Sequence, residues 1–92
     1  MNAFVIYDLN NALYLHSTKD GGTSDITCAY MTAVWPEAIY VCKKANDEFS
    51  NRNWIIRPIT ITVHEQWLIT HRFTVQIREG SLSLKTVDTF SP

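Results

Sequence analysis

Apolar and polar residues alternate in short runs at the start of the chain, in a pattern typical of β-strands. Residues 3–7 and 12–17 are largely apolar, and the turn between them, at 8–11, is rich in Asp and Asn. Two such runs around a short polar turn predict a β-hairpin. The next residues are less regular: 24–29 favour a short turn or 3₁₀ segment, and 30–32 a brief extended stretch.

A helical period begins at Pro36. Proline suits the first position of a helix because no hydrogen bond is lost there, and Glu37 follows near the positive end of the helix dipole. The apolar residues that follow are spaced i, i+3, i+4 and i+7, which puts them on one face. They are Ala38, Val41, Cys42 and Ala45. The pattern predicts a helix over residues 36–46 that ends at Asn46.

The second half of the chain returns to the alternation of β-strands. Residues 54–63 indicate a strand, and Pro58 within it cannot donate to a ladder, so this strand lies at an edge or is interrupted there. Residues 73–78 alternate apolar with polar, a turn follows at Glu79-Gly80, and alternation resumes at 82–84, which predicts a second hairpin. Residues 64–71 fit either a helical turn or a continued strand.

These elements give the order β-β-α-β-β-β in a chain of 92 residues. That length supports one hydrophobic core, so residues 1–92 are expected to form a single domain. The economical way to bury the apolar faces is to pack the helix on one side of the strands. The sequence therefore predicts an α+β fold, a small antiparallel sheet with one main helix on one face.

The charge and hydropathy of the chain argue against two classes of partner, nucleic acids and membranes. The 8 basic and 9 acidic residues give a net charge of −1, whereas a nucleic-acid binder usually needs an excess of basic charge. The apolar run near the N-terminus is far shorter than the about 20 residues of a membrane span, and no basic segment precedes it as in a secretory signal. We therefore expect a cytoplasmic protein without membrane contact. Cys28 and Cys42 form no CxxC motif, and their pairing stays open.

The segment at His64-Glu65-Gln66-Trp67-Leu68 comes closest to a catalytic motif. A helical zinc site needs a second His four residues after the first, where this chain has Leu68, and His71 is too far along to share the metal. There is no Gly-x-Ser-x-Gly sequence, and the 3 glycines lie at predicted turns, which leaves none for a phosphate loop. We predict no catalytic, metal or cofactor residue, and no enzymatic activity.

The chain has 3 Trp, 4 Tyr and 4 Phe, more large rings than a core with one short helix needs. Some are expected at the surface, where exposed aromatic residues mark protein contacts. Trp67 is the best candidate anchor because it lies in the least regular segment, and the alternative is a Trp that covers one end of the sheet. With its neighbours His64, His71 and Arg72, it forms the candidate protein interface.

Two stretches, 54–57 and 71–73, combine aromatic with basic residues, as in proteins that stack single-stranded bases on a sheet. Phe73 shares its predicted face with Val75 and Ile77, so core packing explains that ring better. Nucleic acid is therefore the weaker alternative as a partner.

Several segments carry a resemblance to a known class of proteins. They are Phe4-Val5-Ile6-Tyr7, Leu13-Tyr14-Leu15, Ser24-Asp25-Ile26 with Ala29, Glu37-Ala38 and Ile59-Thr60-Ile61. Together they resemble small β-β-α-β proteins common among phage-encoded accessory genes, including anti-defence inhibitors. The resemblance covers residues 3–63, and it implies an inhibitor that masks a host protein in the host cytoplasm. It transfers no functional residue, because the matching positions are structural.

The leading hypothesis is a non-enzymatic protein-binding module of this kind. A second hypothesis is a self-associating structural subunit, because the strand with Pro58 and the edges of the final hairpin could pair between chains. The third is a small nucleic-acid-binding module.

Overall fold

In a computed structural model, the described part of the chain forms six strands and one main helix. The structure describes residues 1–16, 21–48, 51–67 and 71–91, and the side chains of all of these except 64–67, 71–73 and 89–91. The elements are β1 (Asn2–Asp8), β2 (Leu13–Tyr14), β3 (Met31–Thr32), α1 (Trp35–Glu48), β4 (Trp54–Trp67), β5 (His71–Glu79) and β6 (Leu82–Ser91).

The strands pair in the order β2-β1-β4-β5-β6, with β3 also paired to β1. The pairs β1–β2, β1–β3, β4–β5 and β5–β6 are antiparallel. The predicted α+β fold is therefore confirmed: one main helix packs on an antiparallel sheet, and both hairpins are present. A 3₁₀ turn at Ile26–Cys28 and the short strand β3 occupy the segment where a turn and a brief extended stretch were expected.

Contacts divide the chain into two compact units, residues 3–58 and residues 1–2 with 59–92. In the first unit, α1 covers one face of the strands. Ile6, Ala45 and Trp54 form the buried cluster on that face. The partly buried side chains packed against this cluster are Leu15, Tyr30, Val41, Cys42 and Ile56. The predicted apolar stripe of the helix thus faces the core, with Ala38 and Ala45 fully covered.

The helix is longer than predicted, because Asn46 does not end it. The Asn46 side-chain amide bonds to β4 instead: Nδ2 donates to the carbonyl oxygen of Trp54 at 3.0 Å, and Oδ1 accepts the Trp54 N–H at 2.9 Å. The neighbouring Asn53 accepts a backbone hydrogen bond from Leu9, just beyond β1. Because backbone groups alternate in direction along a strand, those of Trp54 point away from β1. The Asn46 amide therefore satisfies them as a neighbouring strand would.

Asp8, at the end of β1, is a fully buried carboxylate with a dense set of donors. It accepts hydrogen bonds from the Asn10 N–H at 3.0 Å, the Asn53 N–H at 3.2 Å and Asn11 Nδ2 at 2.7 Å. Arg52 Nε lies 3.8 Å from the same carboxylate, and Arg52 also donates to the carbonyl oxygen of Gly21 at 2.8 Å. One buried charge thus ties the first turn to the start of β4 and, through Arg52, to Gly21.

These donors decide the pKa of Asp8. Burial alone would raise the pKa, but the hydrogen bonds from Asn11, Asn53 and Asn10, together with the Arg52 charge, hold it below its ordinary value. Asp8 is therefore ionised at neutral pH although it is buried.

The second unit is built on the ladders of β4, β5 and β6. Met1 exchanges backbone hydrogen bonds with Ile61, both at 2.7 Å. The β4–β5 ladder runs from Thr60↔Arg78 to Trp67↔His71. Residues 64–67 and His71 are therefore strand, which resolves that part of the ambiguous segment, while 68–70 lie outside the described residues.

Pro58 lies inside the continuous strand β4, so the strand is not interrupted there. The described ladder with β5 begins at Thr60, two residues later. Asn53 and Ile61 both bond towards the β1 side, so the even-numbered Pro58 has its nitrogen on the opposite side. The expectation of an edge or interrupted strand was therefore wrong, since β4 lies between β1 and β5 in the strand order. Proline is tolerated in this inner strand because its missing N–H falls before the β5 ladder starts.

We expect the Asp8→Asn variant to lose about 2–4 kcal/mol of unfolding free energy, because it leaves Arg52 without its buried counter-charge and places an amide donor among other donors. Urea denaturation followed by far-UV circular dichroism measures this loss. Asp47→Asn, an exposed acid-to-amide change on α1, is the matched control. Equal stability of the two variants would contradict the assigned role of Asp8.

The same network predicts an acid dependence of stability. Because the folded-state pKa of Asp8 is depressed, its contribution is complete above the unfolded-state pKa of about 3.9 and is lost as the pH falls through the lower folded-state value. We expect the unfolding free energy of the wild type to fall more steeply below about pH 4 than that of Asp8→Asn. Parallel curves would show that Asp8 titrates alike in the folded and unfolded states.

Candidate functional site

Helix α1 carries large apolar side chains on the side that faces solvent. Val34, just before the helix, is 54% exposed, and Trp35, Ile39 and Tyr40 are 51%, 44% and 67% exposed. We refer to these four residues as the α1 patch. Single exposed apolar residues are common on proteins, whereas several on adjacent turns of one helix form a surface suited to contact.

The helical repeat explains why the core does not use these side chains. Each residue advances the direction around the helix by about 100°. Taking Ala38 as the centre of the buried face, Ile39 points about 100° away and Tyr40 about 200° away. The apolar content of α1 therefore exceeds what one buried stripe can cover. The excess is visible in the sequence as apolar residues off the predicted stripe, Ile39 and Tyr40, which the predicted interface did not include.

Trp35 is held in place by an aromatic contact. Its ring lies 5.1 Å from the ring of Phe4 on β1, at an interplanar angle of 59°. Such tilted pairs are favourable beyond the area that they bury. One side of the indole is thus anchored to the sheet while about half of its surface stays open to solvent.

A hydrogen-bonded cluster anchors the first turn of α1. Glu37 accepts from the Tyr30 hydroxyl at 2.6 Å through Oε1 and from the Thr32 hydroxyl at 2.8 Å through Oε2. The Thr32 hydroxyl oxygen in turn accepts the Val34 N–H at 3.1 Å. The helix start is therefore bound to β3 and to the residue before it, which fixes the position of the α1 patch.

The cluster shifts the pKa values of both partners. Burial, the hydrogen bond to Glu37 and the Glu37 charge raise the pKa of Tyr30 to about 12. The hydrogen bonds from Tyr30 and Thr32 lower the pKa of Glu37. At neutral pH Tyr30 is protonated and Glu37 is ionised, the states in which the hydroxyl donates and the carboxylate accepts.

Two surface grooves flank Tyr40. One has a volume of about 370 Å³ and is lined by Tyr40, Lys43, Lys44 and Asp47. The other, of about 280 Å³, lies against Tyr30, Val41 and His16. These volumes are near or below the lower limit of small-molecule pockets, about 300–1,000 Å³, and Tyr40 between them is largely exposed. They are open depressions on the surface beside Tyr40.

The structure places the predicted interface residues in the β4–β5 hairpin. His64 is in register with Thr74, Gln66 with Arg72, and Trp67 with His71. The side chains of His64, Trp67, His71 and Arg72 lie outside the described part of the structure. The interface predicted around Trp67 therefore stays a prediction. Of the two tryptophans whose side chains the structure describes, Trp35 is exposed and Trp54 is buried.

The aromatic and basic residues of 54–57, considered as a stacking surface for nucleic acid, make contacts within the protein. Trp54 is 2% exposed and belongs to the core. The Arg57 guanidinium lies 4.5 Å from the ring centre of Tyr7, and Tyr7 packs on Tyr14 with centroids 5.0 Å apart. These rings are engaged with each other, and Tyr14 is 9% exposed. The rings near 54–57 therefore leave little free aromatic surface on which a base could stack, and the side chains of the second stretch, 71–73, lie outside the described residues.

Among the described residues, no three His, Cys, Asp or Glu side chains come close enough together to hold a metal ion. None of the helices in that part of the chain combines the length and the apolar character needed to cross a membrane.

Comparison with known proteins finds no family model, no curated protein and no solved structure that matches the chain. The resemblance to phage accessory proteins therefore rests on the segments of residues 3–63 quoted above.

The Tyr30–Glu37 hydrogen bond can be tested by titration. We expect Glu37→Gln to lower the pKa of Tyr30 from about 12 towards the ordinary value of about 10, because the carboxylate charge is removed while the burial of Tyr30 remains. Absorbance at 295 nm follows phenol ionisation, and Tyr30→Phe identifies which transition belongs to Tyr30.

Because the folded-state pKa of Tyr30 is raised, its stabilising effect is present below about pH 10 and is lost as the pH rises towards 12. Glu48→Gln, an exposed change on the same helix, should leave the transition in place. An unchanged Tyr30 transition in Glu37→Gln would show that the carboxylate does not perturb it.

Proposed function

We propose that the protein is a non-enzymatic binding module that contacts another protein through the α1 patch. The observation that carries this proposal is the exposure of Trp35, Ile39 and Tyr40 on the first two turns of one anchored helix, with exposed Val34 directly before it. Trp35 and Ile39 are spaced i, i+4 and share one helix face, which is a common arrangement of anchors in protein recognition, and Tyr40 widens the exposed surface beside Ile39.

The side-chain types of the α1 patch favour a protein partner. Tryptophan and tyrosine are enriched among the residues that dominate binding energy, because each brings a large apolar area and a polar tip. Around Tyr40, Lys43, Lys44 and Asp47 form a charged margin. An apolar centre with a polar rim is the usual anatomy of a protein interface.

The anchoring of the patch also favours binding. The Trp35 ring is held against Phe4, and the first turn is held by Glu37. Side chains that are already ordered lose less conformational entropy on association, so more of their contact energy appears as affinity.

The titratable cluster next to the patch does not have the properties of a catalytic pair. A general acid or base works best with a pKa near the working pH. Tyr30 has a pKa raised to about 12, and that of Glu37 is lowered. Both shifts move away from neutrality, which is what a structural hydrogen bond requires.

The proposal extends to the nature of the partner. The resemblance over residues 3–63 supports a phage or mobile-element inhibitor that masks a host protein in the host cytoplasm. The exposed patch supports the masking mode, since an inhibitor that covers a surface needs an adhesive face and no catalytic group.

Site-specific photo-crosslinking tests the proposal. A photoreactive phenylalanine analogue at Tyr40 should capture a discrete protein band in the cells that produce the chain, and the same analogue at Leu9 should not. Leu9 is the matched position because it is an apolar residue 53% exposed that lies in the turn between β1 and β2, outside α1. Mass spectrometry then identifies the captured protein.

Substitutions in the α1 patch test how much its side chains contribute to the binding affinity. We expect Ile39→Asp and Tyr40→Asp to weaken binding to the captured protein by about tenfold to several hundredfold each, equivalent to about 1.4–3.5 kcal/mol. Leu9→Ser should leave the affinity unchanged. Identical capture from positions 40 and 9, or full binding by both Asp variants, would refute the α1 patch as the interface.

A further inference from the structure

The two ends of the strand order differ in the length of the strands that form them. On one side, β1 is flanked by the short strands β2 and β3, and isolated bridges at Tyr14↔Thr23 and His16↔Ala29 continue the irregular cover. At the other end, β6 is a strand of 10 residues. In the part of the chain that the structure describes, β6 is the last strand in the order. The outer backbone groups of such a strand are suited to pairing with another strand.

A row of valines crosses the sheet and reaches this edge. Val63 is in register with Val75, and Val75 with Val87. Val63 is 59% exposed, and Val75 and Val87 are half-buried. Directly opposite residues in adjacent strands have their side chains on the same face. The row therefore forms an apolar band that stops at Val87, on the edge strand.

We propose that β6 pairs antiparallel with β6 of a second copy of this chain, with Val87 opposite Val87 across a two-fold axis. Two identical antiparallel edges are related by such an axis, and backbone directions alternate along a strand, so a residue faces itself at the centre of the pair. With Val87 at the centre, the valine row continues without a break from one copy into the other.

Charge selects this register among the neighbouring ones. Centring on Lys85 or on Asp88 would place like charges directly opposite each other, which destabilises a strand pair. Centring on Thr86 would set Lys85 against Val87 and Asp88 against Leu84. Centring on Val87 sets Lys85 against residue 89 and Asp88 against Thr86.

A threonine is already a good cross-strand partner of Asp88 within one chain. Thr74 on β5 donates its hydroxyl proton to Asp88 at 2.8 Å, and the two residues are in register. The Val87-centred pair places a second threonine, Thr86 of the other copy, opposite the same aspartate. This register therefore avoids like-charge contacts and repeats a side-chain pairing that the fold uses.

The proposed dimer is independent of the proposed function. It uses the edge of the unit formed by residues 1–2 and 59–92, whereas the α1 patch lies in residues 3–58. Substitutions in the α1 patch should leave the mass in solution unchanged, so failure of one proposal can be distinguished from failure of the other.

Sedimentation equilibrium with charged variants tests the dimer. The wild type should sediment as a dimer in the micromolar range. Val87→Glu and Val87→Lys, each alone, should weaken dimerisation by about tenfold or more, because like charges meet at the axis, and the mass should approach the 10.6 kDa of one chain. An equimolar mixture of both variants should recover the dimer, since opposite charges then face each other.

The mixture also guards against misfolding, because a variant that had lost its fold would not recover. Val63→Lys, at the other end of the valine row, is the matched control and should remain dimeric. A monomeric wild type at high micromolar concentration, or Val87→Glu and Val87→Lys that each remain fully dimeric, would overturn the proposal.

Cysteine crosslinking tests the register. In a Cys28→Ser background, Val87→Cys should form an intermolecular disulfide on mild oxidation, because directly opposite residues are about 4.5–5.5 Å apart at Cα. Lys85→Cys should not, since two copies of residue 85 would be separated by four residues along the strand, about 13 Å. Crosslinking at 85 in place of 87 would overturn the register.

Discussion

The buried carboxylate of Asp8 is the interaction on which the organisation of residues 3–58 depends. A carboxylate without water is costly unless donors surround it. Here the donors come from the turn after β1 and from the residues just before β4. Ionisation of Asp8 and closure of this part of the fold therefore require each other, because neither set of donors alone replaces the lost hydration.

That closure sets the register of the helix against the strands. With Asn53 held by Asp8, the backbone groups of Trp54 face α1, where the Asn46 amide satisfies them. Trp54 then fills the core between Ile6 and Ala45. The buried face of α1 is thereby fixed along the line of Ala38 and Ala45, and the remaining apolar side chains of the helix are directed to solvent. The exposed patch is a consequence of how the core is closed.

The local elements could be predicted from the sequence because their signals are local. The stripe around Ala38 and Ala45 defines the helix, and period-two alternation defines the hairpins. The C-terminal end of the helix was predicted less accurately. Asn46 was expected to end the helix, but its side chain binds the backbone of Trp54, eight residues away. The Asp8 network was not predicted, because Asn53 is separated from it by 45 residues. No pattern along the chain shows that such distant polar groups meet.

The sequence indicated for the α1 patch only that some aromatic side chains would be exposed, and the interface around Trp67 stays a prediction. Surplus aromatic residues indicated an exposed ring, but the choice of Trp67 relied on irregularity of the sequence, whereas exposure of Trp35 follows from its place at the start of a helix whose buried face lies elsewhere. Ile39 and Tyr40 could have been found by drawing the helix as a wheel, since they lie far from the predicted stripe. The sequence feature that indicates the exposed patch is therefore an apolar residue that lies off the buried stripe of a predicted helix.

The two proposed surfaces recognise partners by different chemistry. At the α1 patch, affinity comes from burying side chains, so the partner has to provide complementary pockets and specificity depends on shape. At β6, affinity comes from backbone hydrogen bonds that any strand could supply, so specificity has to come from excluding wrong registers. Lys85 and Asp88 on either side of Val87 perform that exclusion, because every shift of the axis by one residue or two brings a charge against an apolar residue or a like charge. At the β6 edge, charged residues thus select the register of pairing. At the α1 patch, aromatic and aliphatic contacts provide the affinity.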